Sequence, residues 1–242
     1  MISKLLLSTV LVAAGATTAM AQGFTGATIG LEYSSFPDID EFGGVNYFAS
    51  AEFGLISQFS AALDLSFYDF EFTESDVSNL TGHAIYAVDS ATSVGLFFGQ
   101  DRIDDVTTEL FGIEAAYDFG IGDIQAYFGS QSDSEDDGTF LGASASYNVG
   151  SGFSGIVSFD KFTVEDVSAT VFEIGAEYTL QSGPRFSAIY GVFTAEEATI
   201  EIEEPYFVLA AVIDLGAKPG TTFDRRGYYE IVDFASLDDV EF

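Results

Sequence analysis

Nine carboxylates recur on one phase of alternating segments: Glu32, Glu52, Asp64, Glu114, Asp118, Asp123, Asp160, Glu173 and Glu177. Few cations answer them. Arg185 shares their phase, Arg102 and Lys161 stand near segment ends, and Arg225-Arg226 come late in the chain. Fixed negative charge along a hydrated wall lowers the barrier for cations and raises it for anions. These ten strand positions are therefore candidate lining residues of a cation-preferring passage. The alternative is that the acids only hydrate and pair inside a closed interior. Arg225 and Arg226 bear on that choice, because a charge taken out of water needs a partner. Either the C-terminal stretch folds back and pairs its arginines with wall carboxylates, or it hangs free.

Other chemistry is poorly provided for. His83 is the single histidine and there is no cysteine. A zinc site or a catalytic triad needs partners the chain does not supply. His83 falls on the polar phase, which reads as an inward-facing histidine. Residues 133–138 begin like a calcium-binding loop, but the position requiring a bidentate glutamate is Ser144. No glycine-rich phosphate loop, nucleophile elbow or HExxH is present. No cofactor, catalytic residue or metal site is assigned, and no enzyme activity is expected.

The elements that position these residues have a period of two. Ala27, Ile29, Leu31 and Tyr33 alternate with Thr28, Gly30, Glu32 and Ser34. Val45, Tyr47, Ala49, Ala51 and Phe53 alternate with Asn46, Phe48, Ser50 and Glu52. The same texture runs through 59–67, 80–88, 92–100, 109–119, 123–129, 140–149, 153–160, 169–180, 185–193 and 206–215, making 12 candidate strands. Glycine-rich turns at 54–57, 120–122, 150–152 and 181–184, with Asp89-Ser90, are expected to alternate with longer acidic connections. Those lie at 35–42, 70–79, 101–107, 130–138, 161–167 and 194–204. An even strand number with short turns at one end and longer loops at the other is the pattern of an outer-membrane barrel. On the apolar phase, aromatic residues collect near strand ends: Tyr33, Phe53, Phe67, Phe98, Tyr117, Phe128, Tyr147, Tyr178, Tyr190 and Tyr206. That placement suits a lipid interface, where one end of the ring is wet and the other dry. An exported sandwich with an aromatic core is the competing arrangement.

The N-terminus reads as a secretory signal peptide over residues 1–21. Lys4 precedes an apolar run at 5–14, and Ala19-Met20-Ala21 is a small-x-small cleavage site. The chain holds 39 acidic against 7 basic residues, for a net charge of −32, which excludes nucleic acid as a partner. Such acidity coexists with 48% hydrophobic residues only if the two are segregated in space.

The signal segment, the Gly-x-Glu/aromatic strand texture ("GLEYSS", "SAEFGL", "IGAEYTL"), the acidic loops and the terminal Phe242 together resemble the porin-like outer-membrane proteins of alphaproteobacteria. The resemblance covers the mature chain as a pattern. It implies an outer-membrane pore for passive diffusion of small hydrophilic solutes. The chain departs from that family in its lower strand number and in residues 216–242, which follow the last candidate strand after a break at Pro219-Gly220. The expected organisation is a signal peptide (1–21), a single antiparallel transmembrane β-barrel (22–215) and a C-terminal tail (216–242). Expected partners are outer-membrane lipid, lipopolysaccharide through divalent cations, small solutes and copies of the chain itself. Two alternatives stand beside the pore: a non-conducting structural or adhesion barrel, and, with less support, an outer-membrane hydrolase.

Overall fold

The alternation resolves into twelve antiparallel strands in the computed structural model, which describes residues 23–37, 43–70, 77–104, 106–133, 137–165, 167–197, 200–217 and 220–227. The strands are β1 (Phe24–Ser35), β2 (Gly43–Ile56), β3 (Phe59–Phe70), β4 (Val77–Ala87), β5 (Thr92–Ile103) and β6 (Val106–Asp118). They continue with β7 (Gly122–Ser132), β8 (Asp137–Gly150), β9 (Phe153–Val164), β10 (Val167–Thr179), β11 (Arg185–Glu197) and β12 (Ile200–Gly216). Each pairs with its sequence neighbours, and β12 closes on β1. The closing register runs from Gly26 opposite Gly216 to Ser35 opposite Phe207. Closure satisfies every strand edge, which lets a sheet cross lipid without orphaned backbone groups. The shortest strands have 11 residues, enough for a tilted strand to cross the hydrocarbon core.

Side-chain direction separates two environments. Outward-facing Leu63, Ile113 and Leu209 are 53%, 55% and 57% exposed, within a continuous apolar band. Inward-facing Asp64, Thr81 and Phe97 are 1%, 0% and 1% exposed. Apolar outside with carboxylates inside inverts the partition of a water-soluble sandwich and matches a barrel whose solvent is lipid. Over β4 to β7 the outer face is concave, with a groove of about 720 Å³ where Ala84, Ala115 and Ala126 sit among Phe59, Leu96, Ile113 and Phe128.

The two barrel ends differ more in composition than in length. One end carries the glycine turns, with Gly120, Gly150, Gly152 and Gly183 at positive φ. At the other, acidic end, the strands run further into the connections than the alternation predicts. Only residues 104–105 separate β5 from β6, and only 165–166 separate β9 from β10. Asp104 and Glu165 take positive φ there (49° and 47°), which an acidic residue tolerates in a tight hairpin. β12 likewise begins at Ile200 rather than Tyr206. Its Pro205 precedes the stretch paired with β1, so the missing N–H removes no bond on that edge.

Tyr206 does not face lipid as the alternation had it. It is 3% exposed inside the barrel, stacked on Phe36 at 5.2 Å and donating its hydroxyl to Glu173. The inward phase of β12 is therefore Tyr206, Val208, Ala210, Val212 and Asp214. The signal segment, the loop acids Asp38, Asp40, Glu41, Glu74 and Asp76, and Phe242 lie outside the described residues.

The interior wall has a recurring device. Five inward aromatics stand directly opposite a glycine on the next strand: Phe48 on Gly30, Phe97 on Gly112, Phe140 on Gly129, Tyr127 on Gly142 and Tyr206 on Gly191. A Cβ on Gly30 or Gly112 would lie 2.3 Å from the ring. The missing side chain lets each ring lie against the wall, covering exposed backbone and turning its face to the lumen.

Candidate functional site: a charged lumen occupied by the C-terminal segment

β12 ends at Gly216 at the glycine end, and residues 220–227 lie back inside the barrel. Gly220 packs beside Thr28 and Asp214, near that end. Gly227 packs against Asn79 and Asp101, close to the acidic ends of β4 and β5. The segment is held along its length. The Thr222 N–H donates to Glu52 (2.7 Å), the Asp224 N–H donates to Gln125 (3.0 Å), and the Arg226 carbonyl accepts from the Thr81 hydroxyl (2.7 Å). Phe223, 3% exposed, packs with Ala62 and Ile85 and lies parallel to the His83 ring at 6.4 Å. Gly95 makes that seat, since a Cβ there would come within 2.7 Å of Phe223.

The two arginines reach opposite walls. The Arg225 Nη2 donates to both oxygens of Glu32 at 3.0 and 3.1 Å, and its guanidinium lies 3.4 Å over the Phe48 ring. Arg226 Nε stands 3.3 Å from Glu114 Oε2, with its guanidinium 4.4 Å over Tyr127. Consecutive side chains of an extended chain point apart, so adjacent arginines can address β1/β2 and β6/β7 across the lumen.

Glu114 also belongs to a buried triad. His83 Nδ1 lies 2.7 Å from Glu114 Oε1, and His83 Nε2 lies 2.8 Å from Asp64 Oδ2. Carboxylates only accept, so both contacts are satisfied when each ring nitrogen carries a hydrogen. The imidazolium then balances one carboxylate and Arg226 the other, leaving the cluster neutral. With both nitrogens engaged, His83 has none to offer a nucleophile as a base.

The remaining candidate residues are distributed as follows. Glu52 accepts from Ser60 in addition to Thr222. Asp123 accepts from Ser146, Asp160 from Tyr127, and Glu173 from Ser158 and Tyr206. Arg185 bridges Glu177 and Asp214, each at 2.5 Å. Asp118 stands apart: it is exposed at the glycine end, where it accepts the Gly120 N–H at 2.6 Å and closes the β6–β7 turn. Glu32, Glu52, Asp64 and Glu114 thus gather around the segment and its Arg225 and Arg226, whereas Glu173, Glu177 and Arg185 line the β10–β12 wall.

Several participants were not anticipated. Placing Tyr206 outward puts Asp214 outward too, which hides it from the alternation. The charge itself is the available signal, since Asp214 lies within β12, two residues before its end, and a carboxylate in a membrane-crossing strand turns away from hydrocarbon. The acidic connection expected at 101–107 begins later in the structure: Asp101 lies in β5, 1% exposed, accepting from Asn79 at 2.8 Å. Phe48 and Tyr127 acquire a role only through their opposed glycines.

No protein-family model matches the sequence, and neither does any curated protein. Solved structures do match. The KdgM porin superposes with a TM-score of 0.58 at 7% identity, covering 77% of this chain and 98% of that one. The NanC porin gives 0.57 at 8% identity, covering 78% and 100%. An outer-membrane channel from Pseudomonas putida F1 gives 0.56 at 12% identity, covering 80% and 96%. The chain is an all-β protein with the porin-like barrel fold of outer-membrane channels. At these identities the likeness concerns the fold.

Proposed function

We propose that this protein is an outer-membrane channel for small hydrophilic solutes, with a preference for cations. The observation that carries this reading is the lining: Glu32, Glu52, Asp64, Asp101, Glu114 and Asp160 all turn inward in a barrel whose outer face is apolar. Charge fixed on the inside of a lipid-solvated cylinder has its use in the aqueous path. Residues 220–227 lie in that path and act as a plug that must shift for solutes to pass. The acidic barrel end, with Asp104, Glu165 and Glu203, faces outward in this reading and meets lipopolysaccharide through divalent cations. Copies of the chain associate through the apolar outer wall. No catalytic role is assigned.

A second reading, a permanently closed structural barrel, is favoured by one specific observation. Mid-wall Ser66, Thr81, Phe97 and Leu110 are 0–1% exposed, as in a packed core. Ion selectivity across planar bilayers under a potassium chloride gradient separates the two. A reversal potential on the potassium side, lost when Glu32 and Glu52 become glutamine, supports the channel. An anion-side potential overturns the cation preference. Inserted barrels that stay silent, with and without the tail, overturn the channel itself.

A further inference from the structure

Two places on the lumen wall are built alike. On one side Phe48 lies over Gly30 with Glu32 beside it. On the other Tyr127 lies over Gly142, with Glu114 and Gln125 beside it. In each, a glycine-backed ring presents its face to the lumen and a carboxylate stands at its edge. That combination suits a planar cation, whose faces stack on the ring while its in-plane N–H groups donate to the acid. A compact ammonium ion uses the charge but not the plane. Arg225 and Arg226 already fill both places: Arg225 donates to Glu32 while stacked on Phe48, and Arg226 lies over Tyr127 with its Nε in an ion pair 3.3 Å from Glu114 Oε2.

We infer that the lumen carries two guanidinium-binding sites, Glu32/Phe48 and Glu114/Tyr127, occupied in cis by Arg225 and Arg226, and that their external ligands are dibasic guanidinium solutes. This rests on the channel reading and names its solute class. The tail acts as a tethered imitation of the solute: it holds the lumen closed and yields to a ligand that makes the same contacts. The sites stand on opposite walls, so a single-guanidinium solute satisfies only one. A ligand with two adjacent arginines bridges both, as the tail does.

The test is calorimetric titration of the full mature chain carrying Arg225→Ala and Arg226→Ala, folded in detergent, with N-acetyl-Arg-Arg-amide and N-acetyl-Lys-Lys-amide. The variant is expected to bind the arginine peptide about tenfold tighter than the lysine peptide, the scale of two ring contacts. The unsubstituted chain is expected to bind it about tenfold more weakly than the variant, because its own arginines compete. Adding Glu32→Gln to the variant should remove most of the affinity. Equal affinity for the two peptides, or no binding by a folded variant, overturns the inference. If the alanine variant does not fold, Arg225→Lys/Arg226→Lys keeps the charges and weakens the stacking. The arginine peptide is then expected to displace the lysines, and failure to bind overturns the inference equally. A barrel that binds the arginine peptide but never conducts overturns the channel and leaves the sites. One that conducts cations without preferring the arginine peptide overturns the sites and leaves the channel.

Discussion

Replacing His83 by alanine removes the group that lies between Asp64 and Glu114. The side chains of His83 and Asp64 are 1% exposed and that of Glu114 is 0% exposed. Glu114 retains Arg226, but Asp64 loses its ion-pair partner in a place that water barely reaches. Deleting one member of a buried pair typically costs about 3–5 kcal/mol, most of it the penalty of the charge left behind. The upper end applies if residues 220–227 stay in place. If they leave, water enters, Asp64 is resolvated, and the loss falls toward the lower end. With a urea slope of about 2 kcal/mol per molar, the unfolding midpoint should drop by about 2 M. Far-UV circular dichroism in detergent is a suitable assay, since the chain has no tryptophan to report by fluorescence. Asp64→Leu added to His83→Ala should recover more than half of the loss, because it removes the stranded charge. A single-variant drop below about 0.5 M, or a double variant no better than the single, would refute this electrostatic account.

Other expectations follow from the same geometry. Gly112→Val places carbon atoms where the Phe97 ring lies, within 2.3 Å of its ring edge, and Phe97 is 1% exposed with little room to yield. Overpacking of this kind costs about 1–3 kcal/mol; Phe97→Ala in the same chain should relieve only the ring's share, as urea midpoints would report, because the Phe128 carbonyl lies 2.5 Å from the same Cβ. Phe98→Arg, on the opposite face of β5 and 54% exposed to lipid, should lower the free energy of folding into vesicles by about 2–4 kcal/mol. An effect near zero would place that face in water. Asp89 accepts the N–H groups of Ala91 and Thr92 in the β4–β5 turn, and these bonds hold its carboxyl below the ordinary carboxylate range. A depressed folded pKa contributes stability above the unfolded pKa and loses it as pH falls through the folded one. The stability gap between the native chain and Asp89→Ala should thus be full at neutral pH and close on acidification below the usual aspartate range. A gap that ignores pH would assign the turn to backbone geometry instead.

Strand number, antiparallel order and inward carboxylates were legible because a period of two leaves one free choice per strand, its phase, and a charged residue usually settles it. Where a strand offered a tempting aromatic instead, as Tyr206 did, the choice went wrong and took Asp214 with it. Connection lengths were less legible. Acidic residues read as loop, yet Asp104 and Glu165 turn within tight hairpins, and Asp101 is a buried strand residue. The aromatic–glycine pairs depend on register between strands, which no single segment encodes. The arginines invited the idea of an inward tail through charge alone. The partners they take, Glu32 and Glu114 on opposite walls, become visible only once the barrel has closed.

In the proposed function, residues 220–227 close a channel that the acidic wall would otherwise open. The measurement to make is single-channel conductance in planar bilayers, for residues 22–242 and for the same chain lacking residues 217–242. Rare or small openings are expected of residues 22–242, and larger, sustained, cation-selective steps of the shortened chain. Equal conductance in the two, whether large or absent, would contradict it.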